Sequence, residues 1–150
     1  MNDKTYGICL YTKEENTTKI LLCKSSSDKH HKWGFVKGSS DKNESPKDAA
    51  KREFYEECGI KIPIKLFEDY FEQLNDRKDI GIWVVNTKNL SFSLDKYFDE
   101  NLSLKPQFLA LENSEVKFYD INELPQIKDK QKFIALKIIT FLNQHVKDYE

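Results

Sequence analysis

The sequence predicts a single α+β domain, a mostly antiparallel sheet carrying two principal helices. Short apolar runs rich in strand formers recur along the chain. One internal segment is punctuated at both ends as a helix, and the C-terminal stretch places apolar residues close to helical spacing. At 150 residues the chain is long enough for one real core and too short for two.

In chain order, YGICLY (6–11) and KILLCK (19–24) read as strands, with KEENTT between them as a turn. SSSDKHHK (25–32) is a polar loop leading to Trp33. Ser45-Pro46 is a helix start, with Ser at the N-cap and Pro at the first helical position. Asp48 in the first turn suits the helix dipole, and Gly59 is a ready stop after Cys58. IKLFEDYFEQL (64–74) and IGIWVVN (80–86) are expected as strands joined by NDRKD. Residues 87–107 are mixed and read as an insertion, a lid or two short helical turns. EVKFYDI (115–121) is a further strand and NELP a turn. A closing amphipathic helix is expected over 128–146, with Phe133, Leu136, Ile139 and Phe141-Leu142 as its packed face.

An apolar fraction of 39% with 33% charged residues is globular, and 13% aromatic residues supply large core side chains. A net charge of -1 gives no overall push toward nucleic acid or membrane, so a basic footprint has to be local. Cys9, Cys23 and Cys58 form no CxxC pair, and no His stands at zinc-finger spacing. Free buried thiols follow, and with them the expectation of a reduced, cytoplasmic compartment. MNDKTYG carries no apolar leader core, and no run approaches the length of a membrane span.

The helix over 46–58 raises the functional question. With Ala50 at zero and ~100° per residue, Phe54 and Cys58 form the core stripe at about 40° and 80°. Glu57, Glu53 and Glu56 fall at about -20°, -60° and -120°. Three carboxylates on one face repel one another unless they are fully solvated or share a cation. Acidic helix faces are more often simply wet.

The flanking residues decide otherwise. Gly38, Glu44, Arg52, Glu53, Phe54, Glu56, Glu57, Gly59 and Ile60 fill every fixed position of G-x5-E-x7-R-E-U-x-E-E-x-G-U, where U is a bulky apolar residue. The segment therefore resembles the Nudix box over residues 38–60. That resemblance implies a Nudix hydrolase, an α/β/α sandwich around a mixed sheet, cleaving a phosphoanhydride with Mg²⁺ or Mn²⁺. Position by position it implies Glu53, Glu56 and Glu57 as metal-binding carboxylates and the Gly38 carbonyl as a loop ligand. Glu53 and Glu57 carry the chemistry, and Glu44 and Arg52 brace the loop against the helix. Nudix enzymes often add one further acid from outside the box. Glu112 stands where such a Glu is found, and Glu115 is its rival. Physically, a hard divalent ion prefers oxygen ligands, neutralises a diphosphate and polarises the attacked phosphorus.

The box leaves the substrate open. Trp33-Gly34-Phe35-Val36-Lys37-Gly38 resembles the W-x-F-P-K-G entrance of enzymes acting on oligophosphates, with Val36 in place of the usual proline. Lys37 is placed to meet a phosphate, and Trp33 either stacks on a base or packs in the core. Lys24, Lys29, Lys32 and Lys37 against Asp28 make residues 24–37 locally basic, which suits a polyanion. Beyond the entrance the chain is similar to mRNA-decapping catalytic domains, although its closing helix lacks a dense basic face. The expected substrate is capped RNA, as for a minimal or virus-encoded decapping-like enzyme. Dinucleoside polyphosphates and diphosphoinositol polyphosphates come next and oxidised nucleoside triphosphates last among enzyme substrates; a non-catalytic binding protein is the reading from a different class. No membrane or DNA partner is expected.

Overall fold

The structure, a computed structural model, describes residues 3–147. Seven strands form one sheet: β1 (Asp3–Glu14), β2 (Thr17–Ser25), β3 (Trp33–Gly34), β4 (Val36–Ser39), β5 (Tyr70–Gln73), β6 (Lys78–Asn86) and β7 (Asn113–Asp120). The main path runs β3-β2-β1-β6-β5, with β4 on β1 and β7 on β2. β1 and β6 pair in parallel from Asp3↔Lys78 to Tyr11↔Asn86, and the other named pairings are antiparallel. Two helices, α1 (Pro46–Cys58) and α2 (Lys132–Lys147), complete the fold.

Strand alternation builds two apolar layers. Ile8, Leu10, Leu21, Trp83 and Val85 face Ala50, Phe54 and Cys58 of α1. Cys9, Tyr11, Ile20, Leu22, Ile82 and Val84 face Ile134, Ala135, Ile138 and Leu142 of α2. The sheet is thus sandwiched between helices, as an α/β/α arrangement requires. All three cysteines are buried and free. Among the described residues no helix is long and apolar enough to cross a membrane.

Several elements depart from the sequence expectations. Residues 64–74 are not one strand. Ile64–Leu66 turn in a 3-10 helix directly after Pro63, whose ring presets the backbone, and the strand is confined to Tyr70–Gln73. α2 buries Ile134, Ala135 and Ile138 with the expected Leu142, packs the expected Ile139 and Phe141 half-buried beside them, and leaves the expected Phe133 69% and Leu136 61% exposed. Both stripes have helical spacing, so periodicity alone could not choose between them. Residues 87–107 contain 3-10 turns at Thr87–Asn89 and Leu94–Lys96, then insert Phe98 and Leu104 into the α1-side core.

Candidate active site

α1 is set by its ends. The Ser45 hydroxyl accepts from the Asp48 N–H at 3.2 Å, and Pro46 opens the helix. Gly59 closes it in the left-handed region at φ 71°, where its N–H reaches the Tyr55 carbonyl at 2.8 Å. With the helix fixed on the sheet, Glu57 points inward and Glu56 outward. β4 runs beside β1 with Gly38 opposite Tyr6, bringing the glycine under the acidic face. A Cβ at Gly38 would run into the Glu53 carboxylate and push it aside, so glycine is what lets that carboxylate lie against the β4 backbone. Val36, where proline is usual in the entrance motif, pairs with Ile8 as an ordinary strand residue.

Arg52 organises the loop between β4 and α1. Its Nε and Nη2 grip Glu44 at 2.8 and 3.0 Å, Nη2 also reaches the Ser39 carbonyl at 2.9 Å, and Nη1 reaches Glu53 at 2.9 Å and Glu56 at 3.2 Å. All five N–H donors of the guanidinium are thereby used. Hydrogen bonding to Arg52 holds the Glu44 carboxyl below its ordinary range, and the Glu44 carboxylate in turn raises Arg52. Glu44 also accepts from the Asp41 N–H at 2.9 Å, which closes the loop.

Glu57 is the unusual group. It is only 6% exposed, its Oε1 accepts from Asn113 Nδ2 at 3.0 Å, and its Oε2 is buried with no partner. Burial pushes its carboxyl up to about 8; Asn113 works against that rise, and the Glu53 and Glu112 charges add to it. Burial also raises Glu53, opposed by Arg52. Lys37 is lowered, first by burial and then by the nearby Lys78 and Lys128 charges, while Glu57 opposes the shift.

These groups share one cleft of about 400 Å³, lined by Lys37, Gly38, Glu53, Glu57, Glu112 and Asn113 with Ser25 and Ser39. Glu112 stands exposed at its rim. Its turn is tied to the loop after β2, the Ser26 N–H donating to the Glu112 carbonyl at 2.9 Å and the Ser26 hydroxyl to the Leu111 carbonyl at 2.9 Å. Glu115 instead pairs with Lys24 at 3.8 Å and is not among the lining residues.

Three expected participants lie elsewhere. Glu56 is turned onto Arg52. Trp33 is only 5% exposed, edge-on to Tyr119 at 4.8 Å, with Lys24 Nζ 5.5 Å from its ring centroid, so it packs in the core and offers no face for a base. Lys32 is engaged by Asp129 at 3.4 Å. Carboxylates thus engage Lys24 and Lys32, two of the four lysines of the basic loop, a feature that local charge counting over 24–37 could not show.

Among the described residues no three His, Cys, Asp or Glu side chains converge closely enough to share one ion in their present arrangement. The reason is visible: Arg52 draws Glu53 and Glu56 to itself, and Glu57 is turned toward Asn113. The donor set nonetheless fits a hard divalent cation. It consists of oxygens, one of them an orphaned buried carboxylate oxygen, beside a glycine whose missing side chain leaves backbone accessible. Glu53, Glu57 and the Gly38 carbonyl are the residues that would hold the ion, with Glu56 released from Arg52.

The sequence profile of the NUDIX domain matches residues 1–139. The chain belongs to the NUDIX domain family. It is a hydrolase acting on pyrophosphate bonds, and Nudix hydrolases generally use divalent metal ions. It is 26% identical to an RNA pyrophosphohydrolase of Bartonella henselae, across 91% of this chain and 87% of that protein. It is 37% identical to diphosphoinositol polyphosphate phosphohydrolase 3-alpha of Mus musculus, across 50% of this chain and 45% of that protein. The fold matches a C. elegans Ap4A hydrolase binary complex with a TM-score of 0.65 and 21% identity, covering 95% of this chain and 98% of the other.

Sequence reasoning missed Asn113. An uncharged amide next to Glu112 carries no signal of its own. Only the pairing of β7 with β2, opposite Ser25, brings it under α1. Asn113 positions Glu57, so Asn113→Leu is expected to lower kcat about 10-fold and to raise the metal concentration needed for half-maximal activity. Asn113→Gln should recover part of both, whereas equal effects on long and short substrates with unchanged metal dependence would count against a positioning role.

Proposed function

We propose that this Nudix hydrolase acts on the oligophosphate at the 5′ end of RNA, capped RNA first, with Mg²⁺ or Mn²⁺ as cofactor. The observation that carries the chemistry is the convergence of the orphaned Glu57 oxygen, Glu53, Glu112 and Lys37 around Gly38 in one cleft. The substrate reading is supported by the likeness to an RNA pyrophosphohydrolase along most of both chains. The entrance Trp33-Gly34-Phe35-Val36-Lys37-Gly38 fits an oligophosphate substrate in general.

In this reading Lys37 meets the phosphate charge, and Glu53 and Glu57 hold the cation. Glu112, exposed at the rim, accepts the proton of the attacking water. A divalent ion held there would supply charge neutralisation and polarisation of the phosphorus. Asn113 keeps Glu57 oriented, and Arg52 keeps the loop carrying Gly38 closed on the helix. Diphosphoinositol polyphosphates are the second reading, favoured by the higher identity over half of the chain. A non-catalytic binding protein is disfavoured because Glu53, Glu56 and Glu57 are all present.

The test is a substrate panel with product identification: cap-labelled RNA, 5′-triphosphorylated RNA, diadenosine tetraphosphate and a diphosphoinositol polyphosphate, each with Mg²⁺ and with Mn²⁺. Release of a capped nucleoside diphosphate, or of phosphate or pyrophosphate from the triphosphorylated end, supports the RNA reading. Turnover confined to the inositol or dinucleoside compounds overturns it.

A further inference from the structure

A second concavity of about 540 Å³ lies on the other flank of α1. Its walls include Tyr55 from the helix, Lys61 and Lys65 from the turn that follows, and Asn89, Phe92 and Tyr97 from the segment after β6. No Asp or Glu lines it, although acids outnumber Lys and Arg 25 to 24 in the chain. Tyr55 is 46% exposed, and Lys61 Nζ stands 5.3 Å from its ring centroid. Tyr97 is held edge-on against Phe92 at 4.9 Å and tilted against Phe108 at 4.8 Å, with Lys96 Nζ 5.4 Å from its centroid. Among the described residues no carboxylate pairs with Lys61 or Lys65.

Lysines just past a helix C-terminus can do no more than offset its partial negative charge. Here they stand in an open groove beside fixed aromatic rings. Rings for bases and unpaired cations for phosphates are the recurring elements of single-strand binding.

We infer that this groove holds the RNA strand 3′ of the hydrolysed end, with bases against Tyr55 and Tyr97 and phosphates near Lys61 and Lys65. The inference rests on the RNA reading of the catalytic cleft. At ~100° per residue Tyr55 lies about 200° around α1 from Glu57 by way of the outward face, on a helix ~10–12 Å across with its side chains. The strand has to cross the outward face bearing Arg52 and Glu56 before it reaches the groove. A dinucleotide substrate is too short to use it.

The experiment compares the wild-type protein with Lys61→Glu/Lys65→Glu and with Tyr55→Ala, exposed positions whose folding is checked by thermal melting. Anisotropy with a 5′-hydroxyl single-stranded RNA of about twelve nucleotides reads the groove without hydrolysis. The double variant is expected to bind about 10-fold or more weakly, and the slope of log affinity against log salt should fall by about 1.4, as for two lost phosphate contacts. The KM for triphosphorylated RNA of that length should rise in parallel, with kcat and dinucleotide turnover unchanged. Unchanged RNA affinity and salt slope overturn the groove, as does groove binding of free mononucleotide in place of RNA. Failure of the wild type to hydrolyse any RNA overturns the substrate reading instead, and the anisotropy result stays separately readable.

Discussion

Glu57→Gln is expected to reduce kcat by about 10²–10⁴-fold while leaving the fold intact, and to make the metal-free protein more stable at alkaline pH. Gln is isosteric and still accepts from Asn113 Nδ2 through its amide oxygen. The buried apolar surroundings of the side chain lose nothing in volume. What disappears is the capacity to become an anion at the place where Oε2 is buried without a partner. A carboxylate there is tolerable only with a cation beside it. Initial-rate kinetics on the best substrate of the panel, together with magnesium-dependent thermal shifts, make the check. Wild-type turnover by this variant would remove Glu57 from the chemistry, and an unchanged magnesium shift would remove it from the cation site.

The pH dependence follows from the same burial. Glu57 ionises at about 8 in the folded protein against an ordinary 4.5. Between those values the folded state keeps a proton that the unfolded chain has released. The stability this confers is complete below the unfolded value and is lost as pH rises through the folded one. Metal-free wild type should therefore lose stability across that window with a slope of ~1.4 kcal/mol per pH unit from this group, and Glu57→Gln should not. Cation binding below pH 8 must expel the proton, so it should release protons and strengthen with pH. Thermal melts at several pH values, with and without magnesium, read both effects.

What the sequence made legible was local chemistry. Ser45-Pro46, Asp48 and Gly59 bound α1 as written, because caps act on neighbours in the chain. The spacing of Glu53, Glu56 and Glu57 announced an acidic face, because helical geometry is uniform. The parallel pairing of β1 with β6 joins residues about 75 apart, and no local pattern encodes it. Asn113 was hidden for the same reason: its importance comes from the strand that carries it. Trp33 carried two readings in the sequence, and the straps on its backbone decided between them. Its N–H donates to the Gln126 carbonyl at 2.9 Å and its carbonyl accepts from Lys128 at 2.9 Å, drawing the ring into the α2-side core. Gln131 finishes that clasp by accepting from the Phe35 N–H at 2.8 Å.

Arg52→Met should be the most damaging change outside the acids themselves, lowering stability by about 2–4 kcal/mol at neutral pH and activity by more than 10-fold. The methionine keeps most of the aliphatic packing and removes five donors. Glu44 and Glu53, whose side chains are 16% and 17% exposed, then face one another's neighbourhood without a counter-charge. The loop carrying Ser39 and Asp41 loses its tie to α1, and Gly38 moves with it. Arg52→Lys should rescue little, since one ammonium cannot grip Glu44 with two parallel bonds and reach Glu53, Glu56 and Ser39 as well. Acid provides the second reading. The Glu44 carboxyl is held below 4.5 by Arg52, so its contribution is present above that value and is lost as pH falls through the folded one. The wild-type advantage over Arg52→Met in urea denaturation should therefore shrink on acidification, the opposite sense to the Glu57 effect. A gap that stayed constant from pH 7 to well below 4.5 would mean that Arg52 stabilises by packing, not by holding carboxylates.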